Sequence, residues 1–497
     1  MRAYNFSFFL AALLAVLLSP PCLQAQQQDQ NQQQPTDSQS QSAKPIPAYR
    51  SPLASLADNG APESAPQDLG PDTRPLAGAQ DLSLGIPALT HSYWEPHFDL
   101  TVTGDSNPLI STGNSGWTTW TSVMGGVDIH RTSGISDLTA TYSGGGMLSN
   151  DGSGSNTVLQ QFGFTDKISL RRSTLTFIDQ LDYVPDISVG YGDLAGLSLP
   201  GGGSLGLQQG FLPGQSILTP YGERLTNSFV AQDDILLTHR GSLTLVGGYS
   251  LLHYYGDNLL DMGDSIFQGG YNYQMTRKDT LAVLYRFNGY RYSNFGQSIN
   301  DNVMQLSYGR RVTGKLAFQV AAGPEVALFE TPINPGGSSS GTTGGTGSGT
   351  ASSSTQVYWS LNSSLTYQLD RTGLVLSYNH GLGGGSGVLA GAVSDSVSGS
   401  VSRQLSRAVS AGANLGFSRN SGLSIGGSTP ASQTYDYWFG GANFSRPWGR
   451  TLTLSLSYQM QYQDSNTEFC IGTACGTSLV RHMITLSVGW HGRPVTF

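Results

Sequence analysis

The strictest constraint on the fold of this chain is an alternation of apolar and polar residues with a period of two. It is clearest from Arg450 to Gln463 and returns from Gln356 to Leu369. The apolar positions are Leu452, Leu454, Leu456, Tyr458, Met460 and Tyr462 in the first segment, and Val357, Trp359, Leu361, Leu365, Tyr367 and Leu369 in the second. Successive side chains of a β-strand point to opposite faces of a sheet, so this period predicts strands with one apolar and one polar face.

The composition narrows the fold class further. Charged residues make up 12% of the chain and hydrophobic residues 38%, while Gly occurs 65 times among 497 residues. Beyond the N-terminus, no apolar run approaches the roughly 20 residues of a membrane helix, which excludes a helical membrane protein. Abundant Gly, Ser, Thr and Tyr favour a large all-β protein over a helix-rich enzyme. The net charge of −8, without any basic stretch, argues against a nucleic-acid partner.

The N-terminal part of the chain is predicted to be an export signal followed by a disordered leader. In residues 1–25, Arg2 precedes a short apolar run, and cleavage after Ala25 is predicted. An uncleaved anchor helix is the alternative, although the run is shorter than a membrane span. Residues 26–92 are rich in Gln, Pro, Ser and Asp and lack apolar periodicity. We therefore expect a disordered periplasmic leader that acts as a spacer or as a tether.

Residues 93–497 are predicted to form a chain of long hairpins. The alternating segments are about 10–14 residues long, as in tilted membrane-spanning strands, whereas strands of globular sheets average roughly 5–6 residues. Short turns also alternate with long connections, which is the asymmetry of an outer-membrane barrel. The short turns lie at 239–242, 276–279, 312–315, 370–373 and 447–450, and the longer connections at 185–226, 255–263, 292–299, 329–355, 381–393, 418–432 and 464–478.

We count 18 such strands, with 16 as the alternative. An even number returns the last strand to the side where the first began, and it places every short turn on one side. In lipid, every backbone N–H and C=O must find a partner within the protein, which a sheet achieves only by closing. The sequence thus predicts an all-β fold, a single transmembrane antiparallel β-barrel.

Aromatic residues are expected to form girdles at the two membrane interfaces. They lie near the ends of the predicted strands, and an ordinary core role is the alternative. The residues concerned are Trp94, Trp117, Trp120, Trp438, Trp448, Trp490, Tyr254, Tyr255, Tyr290, Tyr292, Tyr435 and Tyr437.

The strand and loop pattern resembles the outer-membrane β-barrel proteins of Gram-negative bacteria, and among them the general porins. The resemblance covers residues 93–497 and includes the C-terminal Phe497, because such barrels often end in an aromatic residue that the barrel assembly machinery recognises. The interruption by Gly492, Arg493 and Pro494 departs from the usual terminal strand. The resemblance implies a place in the bacterial outer membrane, contact with its lipid, and a homotrimer as a possible assembly.

The connection 185–226 is predicted to narrow the lumen. Porin-like proteins fold their third external loop inward, and the many apolar residues of this connection would pack against the barrel wall in that position. A surface loop is the alternative. The charged residues of this connection are candidates for the constriction, where a few charges set ion preference. They are Asp186, Asp193, Glu223 and Arg224. Arg286, on a predicted inward face, either faces these acids across the lumen or is satisfied by a neighbouring strand.

Other constellations support no catalytic or metal chemistry. Cys470 and Cys475 are the only cysteines beyond the signal, so in an exported protein they predict a disulfide. A metal site would need two more ligands, and His482 is the only one nearby. We predict no metal and no cofactor. The chain has no Gly-x-Ser-x-Gly elbow, and we do not expect an enzyme.

The predicted function is that of a porin-like channel for passive diffusion of small polar solutes. Most predicted inward positions are Ser, Thr, Asn, Gln and Gly, which offer hydrogen bonds and little charge. One alternative is a barrel for polysaccharide export whose leader docks a periplasmic partner. Another is a structural or interaction barrel with a plugged lumen.

Overall fold

The computed structural model describes residues 92–107, 116–150, 156–184, 217, 223–255, 259–293, 297–331, 352–369, 371–385, 388–406, 408–423, 433–471 and 474–497. Over these residues the assigned elements are β-strands. Within the same residues, no helix has the length and apolar character needed to cross a membrane.

The strands follow one another along the chain with short or long connections between them. The first nine are β1 (Tyr93–Asp105), β2 (Thr118–Ser133), β3 (Ser136–Ser149), β4 (Thr157–Ser169), β5 (Ser173–Val184), β6 (Arg224–Leu236), β7 (Gly241–Tyr254), β8 (Met262–Gln274) and β9 (Asp279–Tyr292). The others are β10 (Gln297–Arg311), β11 (Leu316–Thr331), β12 (Ser352–Gln368), β13 (Thr372–Gly383), β14 (Ala392–Ser406), β15 (Val409–Gly422), β16 (Thr434–Trp448), β17 (Leu452–Ile471), β18 (Ala474–His491) and β19 (Val495–Thr496).

The sheet closes on itself. Each strand from β1 to β17 pairs antiparallel with the strand next in sequence, and β18 pairs with β1, where Phe98 lies opposite Trp490. After the interruption at 492–494, the two residues of β19 pair with Tyr93 and Trp94 and so continue the last strand of the wall. The result is a closed antiparallel barrel of 18 strands. This confirms the predicted fold class and the larger of the two strand counts.

The barrel is apolar outside and polar inside. Along β1, Phe98 and Leu100 are 44% and 41% exposed, whereas the intervening Asp99 is 1% exposed. On β9, Val283 and Tyr285 are likewise exposed. A soluble barrel would bury its apolar face, so the reversed arrangement requires lipid around the wall. The protein is therefore a β-barrel of the bacterial outer membrane, as predicted.

The two ends of the barrel differ in their connections. Short turns join the strands at one end, for example 275–278 between β8 and β9 and 312–315 between β10 and β11. The other end carries the longer connections, including those from β5 to β6 and from β11 to β12. Because short turns of such barrels are periplasmic, we call these the periplasmic end and the loop end.

Two predicted connections are shorter in the structure. The segment 464–478 was expected to be a loop, but β17 continues to Ile471 and β18 begins at Ala474, with a register irregularity between Asp464 and Phe469. Similarly, β11 and β12 extend into the predicted connection 329–355. Strands that rise beyond the lipid need no apolar outer face, so they lack the alternation that marks the membrane-spanning parts.

Most tryptophans of the predicted aromatic girdles are exposed, as a girdle requires, whereas most of the tyrosines are buried, which is a correction to the prediction. The exposed members are Trp94, Trp117, Trp438, Trp448, Trp490 and Tyr255. The buried members are Trp120, Tyr254, Tyr290, Tyr292, Tyr435 and Tyr437. Strand parity explains the error, because Tyr290 and Tyr292 share the even positions of β9 with the inward Arg286. These tyrosines pack inside the barrel and not at the lipid interface.

Candidate pore lining

Arg286 lies on the lumen face of β9, as its place in the alternation predicted. Its directly opposed neighbours are Gln268 on β8 and Val303 on β10. The Arg286 side chain is buried, with the residue 4% exposed. A buried guanidinium requires compensating charge and hydrogen-bond acceptors close by.

Three acidic residues on the same wall supply that charge. Asp264 on β8, Asp301 on β10 and Glu325 on β11 are each 0% exposed. All three interact electrostatically with Arg286. The compensation thus comes from neighbouring strands, which is one of the two arrangements that the sequence left open. We refer to Asp264, Arg286, Asp301 and Glu325 as the charged wall cluster.

Hydrogen bonds fix part of the charged wall cluster. Asn288 Nδ2 donates to Asp301 Oδ2 at 3.2 Å, and the Leu382 backbone N–H donates to Glu325 Oε1 at 3.1 Å. In contrast, both carboxylate oxygens of Asp264, and Nε and Nη2 of Arg286, are buried without a hydrogen-bond partner among the described protein groups. Buried polar atoms are normally satisfied by protein, water or ligand. Enclosed water is the partner that suits these atoms, because none of them is exposed to the lumen.

The connection from β13 to β14 folds into the lumen above this cluster. β13 pairs with β12 only as far as His380, yet it stays paired with β14 up to Gly383. Beyond that point Tyr292 Oη, on β9, donates to the Gly384 carbonyl oxygen at 3.1 Å. We call residues 382–385 and 388–392 the lumen hairpin. It reaches from β13 and β14 to strands four or five positions away around the wall.

An apolar cluster anchors the lumen hairpin. It contains Leu252, Tyr254, Leu259, Leu260, Met262, Tyr290, Tyr292, Ile299, Ala327, Phe329 and Leu382, with Val388, Ala390 and Val393 packed against it. The members come from five consecutive strands, β7 to β11, from the connection that precedes β8, and from the hairpin itself. Their burial inside a barrel whose outer face is already apolar narrows the lumen at the loop end.

Glycines give the lumen hairpin its path. Gly385 and Gly391 have φ angles of 74° and 84°, in the left-handed region that other residues adopt only with strain. A Cβ atom on Gly391 would also lie 2.5 Å from Ile299 Cδ1 and 2.7 Å from Leu423 Cδ1. The hairpin therefore passes too close to the wall for a larger residue at this position.

One described residue of the long connection between β5 and β6 also reaches this region. Ile217 is 1% exposed and is buried with Leu389, Ala392 and Tyr435. These partners belong to the lumen hairpin, to β14 and to β16. The connection begins at the end of β5, and in a ring of 18 strands β14 lies on the side opposite β5.

The other constriction candidates occupy different places. Asp186 and Asp193 lie outside the described residues. Glu223 is exposed at the loop end and accepts a hydrogen bond at 2.7 Å from a tyrosine hydroxyl of β5. Arg224 begins β6, faces the lumen and is 7% exposed. The structure thus places Arg224 and Arg286 on the lumen wall, three strands apart, with Glu223 on the rim.

The predicted disulfide falls in the hairpin between β17 and β18. The backbone register places Cys470 directly opposite Cys475. Opposed residues of antiparallel strands have Cα atoms roughly 4.5–5.5 Å apart, within the roughly 4.4–6.8 Å that a disulfide spans. The side chains here lie outside the described residues, so the disulfide stays a prediction with a compatible backbone.

Three residues of the charged wall cluster were not among the sequence-based candidates. Asp264 shares strand parity with the buried Gln268, and Asp301 shares parity with the buried Gln305. Glu325 lies in the middle of β11, where the other charged residue is Glu330 near the end of the strand. The position of each acid in its strand could have indicated an inward side chain. Only the pairing register of the strands shows that the three acids surround Arg286.

A buried ion pair connects the two strands at the closing seam of the barrel. Arg481 on β18 and Asp105 on β1 have side chains 2% and 1% exposed, and Arg481 Nη2 lies 2.6 Å from Asp105 Oδ2. Arg481 Nε donates to the same oxygen at 3.0 Å, and the Asn107 backbone N–H donates to Asp105 Oδ1 at 2.9 Å. Two-pronged contacts of this kind fix geometry as well as charge.

Comparison with known proteins yields a weak likeness in structure only. No family model matches the chain, and no curated protein matches its sequence. The outer membrane protein OpdK of Pseudomonas aeruginosa is 11% identical with a TM-score of 0.41, over 81% of this chain and 100% of its own. OpdQ of the same species is 10% identical with a TM-score of 0.40, over 82% and 100%.

OccAB3 of Acinetobacter baumannii is similar at the same level. It is 10% identical with a TM-score of 0.40, over 81% of this chain and 100% of its own. At such identities and scores these proteins say nothing about activity here. The barrel assignment rests on the strand register and on the two faces of the wall of this chain.

Proposed function

We propose that this protein is a porin-like channel through which small polar solutes diffuse passively across the outer membrane. The observation that carries the proposal is the polar inner face of a closed barrel. Its partly exposed polar positions include Thr139 and Thr141 on β3 and Asn362, Ser364 and Thr366 on β12. A wall of hydroxyl and amide groups replaces part of the water around a polar solute as it passes.

The size limit is set at the loop end by two connections. The lumen hairpin is the first, because it is anchored on strands across part of the barrel. The connection 185–226 is the second, and the burial of Ile217 against Leu389, Ala392 and Tyr435 supports its inward course. Asp186, Asp193 and Glu223 remain candidates for setting ion preference within that connection, together with the inward Arg224 and Arg286.

Solute flux into vesicles tests the proposal. Proteoliposomes that hold the folded barrel are diluted into iso-osmotic neutral solutes of increasing size, and the swelling rate is followed by light scattering. We expect swelling with the smallest sugars and a steep fall as the solute grows. Equal and background-level rates for every solute, from a barrel that shows heat-modifiable mobility, would contradict an open channel.

The lumen hairpin gives weight to one other function, a barrel that stays plugged until a periplasmic partner binds the leader. The same vesicles separate the two. A diffusion channel swells equally with and without residues 26–92. A partner-dependent barrel does not conduct alone, whichever form is used.

A further inference from the structure

Exposed basic residues ring the periplasmic end of the barrel. Every short turn carries at least one exposed Arg or Lys within a few residues, and so does the C-terminal segment. These residues are Arg131, Arg171, Arg172, Arg240, Arg277, Lys278, Arg310, Lys315, Arg371, Arg403, Arg446, Arg450 and Arg493. We call this set the basic rim. It extends around the whole circumference and not along one side.

The described acidic residues beside the periplasmic turns are partly buried and are held by hydrogen bonds or by an ion pair, as Asp279 is by Arg310 at 3.6 Å. Asp137 bonds His130, Asp166 accepts from Ser136 at 2.8 Å, and Asp234 accepts from Thr244 at 2.6 Å. Among the described residues, Glu223, Glu330 and Asp464 are the acids exposed as whole residues, and all three lie at the loop end. At the periplasmic end, the Asp137 side chain keeps 39% exposure beside His130. The exposed charge of the periplasmic end is therefore predominantly positive.

Four arginines of the basic rim belong to the lipid-facing side of the wall. One of them, Arg310, shares the parity of the exposed Leu306 and lies 3.6 Å from Asp279. The other three are Arg131, Arg403 and Arg446. Arg131 on β2 lies opposite Leu138, and Arg446 on β16 lies opposite Leu454. Arg403 on β14 has the same strand parity as the exposed Val401. Directly opposed residues share a face of the sheet, so all three side chains lie on the outer face, at the lower edge of the apolar belt.

Long cationic side chains at the edge of an apolar belt extend their charge to the headgroup level of the bilayer. Anionic headgroups attract each such residue with about 1 kcal/mol. A partner that must meet charges on every side of the barrel, and on its outer face, is the surrounding leaflet. A soluble polyanion in the periplasm would instead contact the turns at the periplasmic end.

We propose that the basic rim binds the phosphate headgroups of anionic phospholipids in the periplasmic leaflet. Arg131, Arg403 and Arg446 make the contacts from the outer face of the wall. Turn residues such as Arg240 and Arg277 add a general attraction. The proposal depends on the barrel and its orientation and does not require the channel function.

Lipid selectivity measured by electron paramagnetic resonance tests this assignment. The mature protein is reconstituted in phosphatidylcholine vesicles with spin-labelled phosphatidylglycerol or spin-labelled phosphatidylcholine, and the protein-immobilised fraction of each label is compared. The test variant is R131Q/R403Q/R446Q. The control variant R240Q/R277Q/R371Q removes the same charge from residues in the turns. Heat-modifiable gel mobility verifies that both variants fold.

We expect the wild-type barrel to prefer phosphatidylglycerol several-fold. The outer-face variant should lose most of that preference, with up to about fivefold lost for each headgroup contact. The turn variant should keep most of it. Added salt should weaken the preference, since charges at the water interface are screened over roughly 8 Å at physiological ionic strength.

Three results would overturn the proposal. The first is equal association of both lipids with the wild-type barrel. The second is a preference that survives in the outer-face variant. The third is a preference lost only in the turn variant, which would assign the basic rim to a polyanion in the periplasm, such as a cell-wall polymer.

Discussion

Glu325 joins the charged wall cluster to the lumen hairpin through the hydrogen bond that its Oε1 accepts from the Leu382 backbone N–H at 3.1 Å. Both groups are buried, so losing the acceptor leaves an unpaired N–H, at a cost of roughly 1–3 kcal/mol. We expect Glu325→Ala to loosen the hairpin and to produce frequent brief increases in single-channel current. Glu325→Gln keeps an oxygen acceptor at this place and should remain nearly as quiet as the wild type. A Glu325→Ala channel as quiet as Glu325→Gln would show that the bond does not hold the hairpin.

At this scale, strand parity made some side chains predictable and not others. Arg286 was assigned inward because its neighbours at odd positions are apolar. Tyr290 and Tyr292 have the same parity, but their aromatic character suggested an interface girdle. Side-chain type and strand parity disagreed, and parity was the better guide because a strand cannot turn one side chain to the other face.

The lumen hairpin is the element that most distinguishes this barrel from an open cylinder. Replacing residues 384–391 by a two-residue turn removes the part anchored by Tyr292 and the apolar cluster. We expect single-channel conductance to rise, because this segment lies across part of the lumen. Shortening the connection 185–226 in a second variant should raise conductance independently. Unchanged conductance without 384–391 would mean that the hairpin does not narrow the conducting path.

The sequence alone predicted the strands of the barrel but not the course of one connection between them. The alternation of apolar and polar residues predicted all 18 strands of the wall, because every strand has lipid on one face and the barrel interior on the other. The connection 381–393 was expected to be a soft outward loop, yet it holds Leu382, Val388 and Leu389. The same excess of apolar residues led us to predict an inward course for 185–226. An excess of apolar residues therefore predicts an inward course for both connections. It does not identify the wall strands against which they pack.

The closure of the whole barrel depends on the seam between β1 and β18. Arg481 and Asp105 are buried there, and removing one partner of such a pair costs about 3–5 kcal/mol. We expect Arg481→Gln to lower the temperature at which the folded band converts to the unfolded band on gels. Arg419→Gln is the matched control, because Arg419 is 56% exposed and lies 3.7 Å from Asp436. That exposed pair should contribute at most about 1 kcal/mol. Equal shifts for the two variants would deny the seam pair a special role.

A closed 18-strand barrel with a polar interior is expected to conduct small solutes without a partner. Single-channel recording in planar bilayers, with the protein lacking residues 1–25, tests this most directly. We predict steady openings of porin-like size, with larger steps when residues 384–391 are removed. A folded, heat-modifiable barrel that stays silent both with and without those residues would contradict the channel and favour a plugged or partner-gated barrel.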